Sequence, residues 1–368
     1  MAQYEITILG AGNGGRAFSC YLSKLGHNVN LCFRTEKNIK KIKSTHIIKA
    51  QGEIEGNYKV NRVTTKYKEV IPIANVILVI LPAYAHESVI RKVLPYLQNG
   101  QIILLNPGRT WGAIHIRNII QEERPDINVF VGETQTLLFT CRKIKDTGVV
   151  IKKIKDKINY CFYPEYDNMF VQDIIEELFP QFQTVDDILI TSLNNIGSVV
   201  HPATVLLNSG SISRAKPFSF YQDGMTREIV EVIKKIDDER CLIMERLGLP
   251  PISFLEWVCD SYGLECGSYY DAFRKIKAYE GIQAPKKMKT RYLDEDVPTG
   301  LVPLSSLGNY FNIPTPFIDS IITLASCMVG KDYPSIGRTI ENVGLPIEIL
   351  ARAEYEFKDI FPPEEFSV

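Results

Sequence analysis

No stretch of this 368-residue chain is long and apolar enough to cross a bilayer as a helix, and neither sign of charge dominates it. Lysine and arginine number 42 against 43 aspartates and glutamates, a net charge of −1. That balance offers no general attraction to nucleic acid or to a membrane surface. The local run of Lys37, Lys40, Lys41 and Lys43 reads as a solvated helix face or as help for a cofactor phosphate. The eight cysteines form no C-x-x-C pair, and no Cys/His cluster has zinc spacing. Most of them sit in apolar runs, so reduced, buried thiols are expected. No leader precedes the first strand, so a cytoplasmic protein is expected. There is no internal repeat and no low-complexity segment. With only five histidines, imidazole chemistry has few candidates.

What the chain does have begins at once. The run 6–9 reads as a buried strand and ends in Gly10-Ala11-Gly12-Asn13-Gly14-Gly15, after which Ala17, Phe18, Tyr21, Leu22 and Leu25 recur at helical spacing. Gly10 suits the sharp turn, Gly12 the close approach of a pyrophosphate, and Gly15 the packing of helix on strand. The helix N-terminus then offers unpaired N–H groups to phosphates. A second strand over 29–33 ends at Arg34, where an NAD-selective site usually places Asp or Glu. A guanidinium there suits a ribose 2′-phosphate, which favours NADP(H) over NAD(H). The competing possibility is that Arg34 is a solvated strand end and Glu36 does the acidic job.

Strand and helix patterns then alternate. A lysine-rich helix is expected over 36–44, strands at 59–65, 74–82, 102–105 and 129–132, and helices over 83–97 and 113–122. This is the texture of a Rossmann-type, doubly wound parallel sheet. Ligands to such a sheet bind outside the carboxyl ends of the strands, which selects Pro82-Ala83-Tyr84, 106–112 and Glu133-Thr134-Gln135. Extended runs at 149–152 and 158–162 flank a charged segment, 153–157, that reads as a hairpin tip. A helix over 169–178 and a strand-like run at 187–191 close a dinucleotide-binding domain, 1–190. The remainder, 191–368, reads as all-helical, with amphipathic segments at 225–247, 251–262, 268–278, 316–328 and 336–343.

Among the histidines, His27 belongs to the turn before the second strand, and His46, His86 and His115 read as surface residues. His201 differs. It lies in Asn194-Asn195-Ile196-Gly197-Ser198-Val199-Val200-His201-Pro202, at the start of the helical half. In a helix, Ser198 and Asn194 would share its face, with Asn195 to one side. A satisfied core histidine is the competing reading. The segment 289–303 holds Arg291, Tyr292, Asp294, Glu295 and Asp296 with two prolines and a glycine. Its composition suits a surface loop, although Arg beside Tyr also suits a carboxylate ligand, and an aspartate paired with His201 would fix its tautomer.

The glycine loop, Glu133 before Arg142, Asn195 with His201-Pro202, and Arg291-Tyr292 with Glu295-Asp296-Val297-Pro298 together resemble the octopine/nopaline (opine) dehydrogenase family. The likeness of layout runs essentially the whole chain. It implies reductive condensation of an amino acid with a 2-oxo acid through an imine. By matching position, His201 would be the general acid/base and Asp296 its orienting partner, with Asp294 or Glu295 as alternatives. Asn195, or Asn194, would hold polar groups of the substrate, and Arg291 with Tyr292 would meet a substrate carboxylate. Gly10, Gly12, Asn13, Gly14, Gly15, Arg34, Pro82 and Glu133 would face the dinucleotide. The expected partners are these small molecules, with a homodimer left open and no metal. Ketopantoate reductase and glycerol-3-phosphate dehydrogenase share the layout but use a lysine near the start of the second domain, and here no lysine lies between Lys157 and Lys216. A dinucleotide-binding regulator without turnover is the non-enzymatic alternative.

Overall fold

Strand β1 (Glu5–Leu9) is buried along its apolar length and is the axis of an eight-stranded sheet. The structure, a computed structural model, describes residues 2–35, 40–145 and 147–351. The chain divides into two units, Met1–Ser192 and Leu193–Val368.

In the first unit β1 is followed by α1 (Asn13–Lys24), β2 (Asn28–Cys32), α2 (Lys40–Thr45), β3 (Ile47–Gly52), β4 (Gly56–Lys59), β5 (Arg62–Thr64), β6 (Val76–Val79), α3 (His86–Val93), β7 (Ile102–Leu105), α4 (Gly112–Glu123) and β8 (Phe130–Thr134). Then come β9 (Phe139–Ile144), β10 (Gly148–Ile154), β11 (Ile158–Tyr163), α5 (Asn168–Leu178), β12 (Phe182–Thr184) and α6 (Ile188–Leu193). The large sheet runs β12-β11-β8-β7-β6-β1-β2-β5, with β5, β2, β1, β6, β7 and β8 mutually parallel and the β11–β12 pair, parallel to each other, antiparallel to them. β6 (VILV) and β7 (IILL) are buried at every residue, as strands covered on both faces must be. The chain leaves β1 toward β2 on one side and returns as β6 on the other. The carboxyl end of β1 is thus the switch point where such sheets bind ligands.

A second, four-stranded sheet, β4-β3-β10-β9, packs on the far side of α1. Phe18, Cys20, Tyr21 and Leu22 of α1 join one core with Ile48, Ala50, Phe139, Val149 and Ile151, so the helix is covered on both sides.

Three expectations for this unit are corrected. The segment 153–157 is no hairpin tip: β10 pairs with β3 and β9, whereas β11 pairs with β8 and β12 in the other sheet. The physical reason is burial. β11 is covered along almost its whole length, and Lys155 between the two strands is itself buried. The run at 187–191 is the helix α6, because the Asp187 carboxylate accepts the Leu189 N–H and the next residues turn. A short apolar run does not separate strand from helix by periodicity. His86 is fully buried, its Nε2 3.0 Å from the Leu81 carbonyl oxygen. Of the lysine-rich helix only α2 is described; Glu36 and Lys37 lie outside the described residues.

The second unit is helical: α7 (Ile196–Leu207), α8 (Ser209–Ser213), α9 (Arg227–Arg246), α10 (Phe254–Tyr262), α11 (Tyr269–Lys275), α12 (Arg291–Asp294), a wide turn at Val297–Leu301, α13 (Val302–Phe311), α14 (Pro316–Val329), α15 (Tyr333–Ile336) and α16 (Ile340–Val343). The amphipathic run expected at 336–343 is split, since Gly337 ends α15 and Thr339 caps α16. α9 buries Ile229, Ile233, Ile236 and Ile243 at helical spacing. On the same face sit Asp237 and Arg240, both fully buried. Arg240 reaches the Asp237 carboxylate at 2.7 Å, the Asn194 side-chain oxygen at 2.8 Å and the Ile252 carbonyl at 2.5 Å. Asp237 in turn accepts the Phe254 N–H at the start of α10 and the Tyr269 hydroxyl of α11. This hub ties α9, α10, α11 and the entry to α7 together. Replacing Arg240 by Met strands the Asp237 charge, so a loss of about 3–5 kcal/mol is expected. Urea unfolding followed by near-UV dichroism measures it, and a change under about 1 kcal/mol would remove the hub from this role.

Candidate functional site

The glycine loop divides its labour as the spacing suggests. Gly10 has φ +111°, and a side chain there would strike the Ile80 carbonyl at the end of β6. A Cβ on Gly15 would overlap the Gly10 carbonyl, and one on Gly14 would press on Ile80 and Leu137. Gly12 is different: its φ is −73° and a Cβ would meet nothing within 4 Å. Its ψ of −149° lies outside the usual regions for residues with a side chain, and the open space beside it leaves room for a pyrophosphate laid against the backbone. α1 begins with no side-chain cap and no acidic residue in its first turn, so its leading N–H groups suit phosphate oxygens. These residues fit a nicotinamide dinucleotide. Pro82, half-buried, follows β6 beside this loop, and the Asn13 side-chain oxygen accepts the Lys143 N–H at 2.9 Å. Arg34 is exposed just beyond β2.

Glu133 departs from expectation. It is fully buried, its Oε2 accepting the Ala113 N–H at 2.8 Å and its Oε1 the hydroxyls of Ser192 and Thr191 at 2.7 and 3.0 Å. It completes the N-terminus of α4 and ties α6 to the sheet, rather than facing a dinucleotide. Sequence reading missed Lys155 nearby, whose ammonium donates to Thr136 at 2.8 Å. Burial, and secondarily Arg109, push Lys155 down to about 7.

In the helical unit His201 lies in the middle of α7, followed by Pro202, which has no N–H to give the Ser198 carbonyl. Asn195, buried at the start of α7, directs its amide toward the Thr299 carbonyl oxygen at 3.4 Å. The segment expected as a surface loop is instead helical and, apart from the partly exposed Asp294, buried from Leu293 to Leu304, because its acidic side chains find partners within the protein. In the wide turn the Leu301 N–H reaches back five residues to the Asp296 carbonyl, Pro298 having no N–H to offer. Gly300 lies so close to α7 that a Cβ would overlap Ser198 and stand 2.9 Å from the Asn195 amide.

That approach brings the Asp296 Oδ2 to 2.7 Å from His201 Nδ1 across 95 residues of sequence. The other two carboxylates are engaged elsewhere: Asp294 with Lys331 at 2.6 Å and Tyr333 at 2.8 Å, and Glu295 with the Arg291 Nε at 3.3 Å. Arg291 is half exposed. Tyr292 stacks on the imidazole, centroids 4.4 Å apart, and on Phe220 at 4.8 Å. Asp296 is buried and His201 is 15% exposed, so the imidazole has restricted access to solvent.

Tyr221 completes the arrangement and was not anticipated. Its hydroxyl lies 3.0 Å from His201 Nε2, and its ring stacks on Tyr279 at 4.0 Å. Burial first, then the neighbouring Tyr262 and Tyr221 hydroxyls, raise the Tyr279 phenol well above its ordinary range, so it stays neutral. The aromatic run Phe218-Ser219-Phe220-Tyr221 was the available signal, but its distance from His201 along a loop carries no register. Among the described residues no group of His, Cys, Asp and Glu could hold a metal ion.

Two family models match. Residues 184–329 match that of the NAD/NADP octopine/nopaline dehydrogenase alpha-helical domain, and residues 6–140 that of ketopantoate reductase PanE/ApbA. The opine dehydrogenase of Arthrobacter sp. (strain 1C) is 36% identical over 340 residues, 92% of this chain and 94% of that protein. Among solved structures, an octopine dehydrogenase in complex with NADH and agmatine superposes with a TM-score of 0.76 at 20% identity, covering 93% of this chain and 96% of that one. An NADP⁺-bound yersinopine dehydrogenase gives 0.71 at 13% identity, covering 97% and 99%. At those identities the structural likeness speaks for the fold, a Rossmann unit followed by a helical one, and the sequence likeness for descent. With the match to the Arthrobacter enzyme running nearly end to end, the chain belongs to the opine dehydrogenase family of NAD(P)H-dependent oxidoreductases acting on CH–NH bonds.

Proposed function

We propose that this enzyme joins an amino acid to a 2-oxo acid and reduces the resulting imine, with His201 as general acid/base and NADPH preferred over NADH. The observation that carries the reading is the 2.7 Å contact between His201 Nδ1 and Asp296. With Nδ1–H donated to that carboxylate, Nε2 keeps the lone pair needed to take a proton. His201 accepts the proton of the substrate ammonium, freeing the amine to add to the ketone. It returns that proton to the carbinolamine oxygen, which leaves as water. The imidazolium formed between these steps is stabilised by Asp296 and by the face of Tyr292. When bound, the nicotinamide supplies the hydride that reduces the imine carbon.

Arg291 serves a substrate carboxylate. Its Nε is held by Glu295, so the terminal nitrogens present the fork that carboxylates accept. Asn195, buried and turned to Thr299, is a brace for the turn rather than a substrate contact. The preference for NADPH is supported by Arg34 standing where an acidic residue selects NAD, with Lys40 of α2 also exposed. Among the described residues no helix is long and apolar enough to cross a membrane. A homodimer is the assembly this reading admits.

The direct test is cofactor oxidation over a matrix of amino acids against pyruvate, 2-oxoglutarate and glyoxylate. Oxidation that needs both partners is expected. Oxidation with the oxo acid alone would favour a ketopantoate-reductase-like activity, and none at all a regulator. His201→Ala should cut kcat by about two to four orders of magnitude while leaving NADPH affinity within about twofold, and Asp296→Asn should fall in the same direction. A near-normal rate in either variant removes the pair from the mechanism. Arg34→Ala should weaken NADPH at least about tenfold and NADH little, as measured by fluorescence titration; equal effects would retract the NADPH preference. Gly300→Ala should displace the turn and cost about 1–3 kcal/mol by urea unfolding, with kcat falling well beyond KM. Unchanged stability and rate would show the approach to α7 to be slack.

A further inference from the structure

His201 is enclosed at both nitrogens. Asp296 holds Nδ1, and Nε2, the atom that must exchange protons with substrate, points at the Tyr221 hydroxyl 3.0 Å away. Tyr221 is buried and pinned: its ring lies against Tyr279 at 4.0 Å with 16° between planes, and edge-on to Phe220 at 5.0 Å. Phe220 is in turn stacked on Tyr292, which covers the imidazole face. A phenol fixed this way cannot swing aside without unstacking several rings. A proton that leaves or reaches Nε2 along this hydrogen bond passes through the phenol oxygen.

We propose that Tyr221 is a proton relay between His201 and the substrate, so that the working chain is Asp296–His201–Tyr221. This rests on the reaction proposed above. In the addition step the phenol oxygen takes a proton from the substrate ammonium as its own O–H proton passes to Nε2. The products are a neutral amine, a neutral phenol and an imidazolium; the amine lone pair then forms the C–N bond as the C=O π pair moves onto oxygen, and one N–H proton passes to that oxygen to give the carbinolamine. In the dehydration step the imidazolium returns its Nε2 proton to the phenol oxygen, and the phenol O–H proton passes to the carbinolamine oxygen. The C–O bond breaks, water departs, and the nitrogen lone pair closes the C=N bond. The proton taken from the ammonium is the one that leaves with water, so the phenol never carries a net charge. This agrees with a site whose neighbouring phenol, Tyr279, is held neutral by burial. A relay also accounts for how one imidazole serves two substrate atoms in turn, the amine nitrogen and the ketone oxygen. A hydroxyl that both donates and accepts can face either.

The test is Tyr221→Phe in the full-length protein, which keeps the ring stack and deletes only the oxygen. It is assayed with NADPH, pyruvate and the amino acid giving the fastest turnover in wild type. Expected are a fall in kcat of about tenfold to a hundredfold, KM values and NADPH affinity within about twofold, and a larger D₂O effect on kcat, because the proton transfers have become the slow step. A fall in kcat with an unchanged D₂O effect would make Tyr221 a packing residue and overturn the relay. An unchanged kcat would overturn it directly. Tyr279→Phe removes the neighbouring buried hydroxyl but keeps the stack, and should leave kcat within about threefold; a loss equal to that of Tyr221→Phe would overturn assignment to the 221 oxygen. Incorporating 3-fluorotyrosine at 221 keeps the hydroxyl and should restore most of the rate, and failure to do so counts against the relay. If wild type turns over and Tyr221→Phe matches it, the relay fails and the reductive condensation stands. If wild type turns over no pair, both fall.

Discussion

The helical unit depends on one close approach, that of the turn at Val297–Leu301 to the first turn of α7. Gly300 sits where any side chain would overlap Ser198. At this distance the buried carboxylate of Asp296 and the imidazole of His201, far apart in sequence, stand within one strong hydrogen bond. Separating the two elements would leave a carboxylate buried without its counterpart, which is costly in a low-dielectric interior. The pairing and the packing therefore enforce each other. The widened turn contributes too: the prolines at 298 and 303 withhold N–H groups, the chain closes over five residues instead of four, and Asp296 is left at the edge facing α7.

The anchor of α7 is a second, independent constraint. Arg240, fully buried, binds the Leu193 carbonyl and the Asn194 side chain just before the helix starts, while Asp237 holds the beginning of α10. Glu239 on the same helix accepts the Phe317 and Ile318 N–H groups at the start of α14, its carboxyl raised by burial first and lowered in part by those bonds. In the first unit Glu133 does the same for α4. Three acidic side chains thus satisfy helix N-termini that belong to other elements. The sign is the one the helix dipole favours, and each bond fills an orphan donor.

This also marks the limit of what was legible. The Rossmann unit could be read because its signals are local: a buried apolar run, a turn that needs φ > 0 at Gly10, and a contact between Gly15 and the Gly10 carbonyl within one strand–turn–helix. His201 and Asp296 could be paired by resemblance, and the geometry chooses Asp296 over its neighbours by giving Asp294 and Glu295 other cations. Glu133 misled because a carboxylate at the carboxyl end of a strand has the same one-dimensional appearance whether it meets a ligand or a helix end. Lys155 misled likewise, since a lysine in a charged segment between extended runs reads as solvent-exposed. Only the knowledge that β10 and β11 belong to different sheets shows that the chain between them is buried.

The aromatic residues around His201 follow the same logic. Tyr221, Tyr279 and Tyr292 come from three separate segments, and no periodicity connects them. Stacked, they restrict the access of solvent to the imidazole while each keeps a polar tip, which apolar side chains could not do. Burial of the Asp296 carboxylate strengthens the His201–Asp296 bond relative to water. The sequence uses tyrosine rather than phenylalanine at 221, the position against Nε2, and phenylalanine at 220, the position against the Tyr292 ring. Polarity is thus placed where a proton must pass and withheld where only packing is needed.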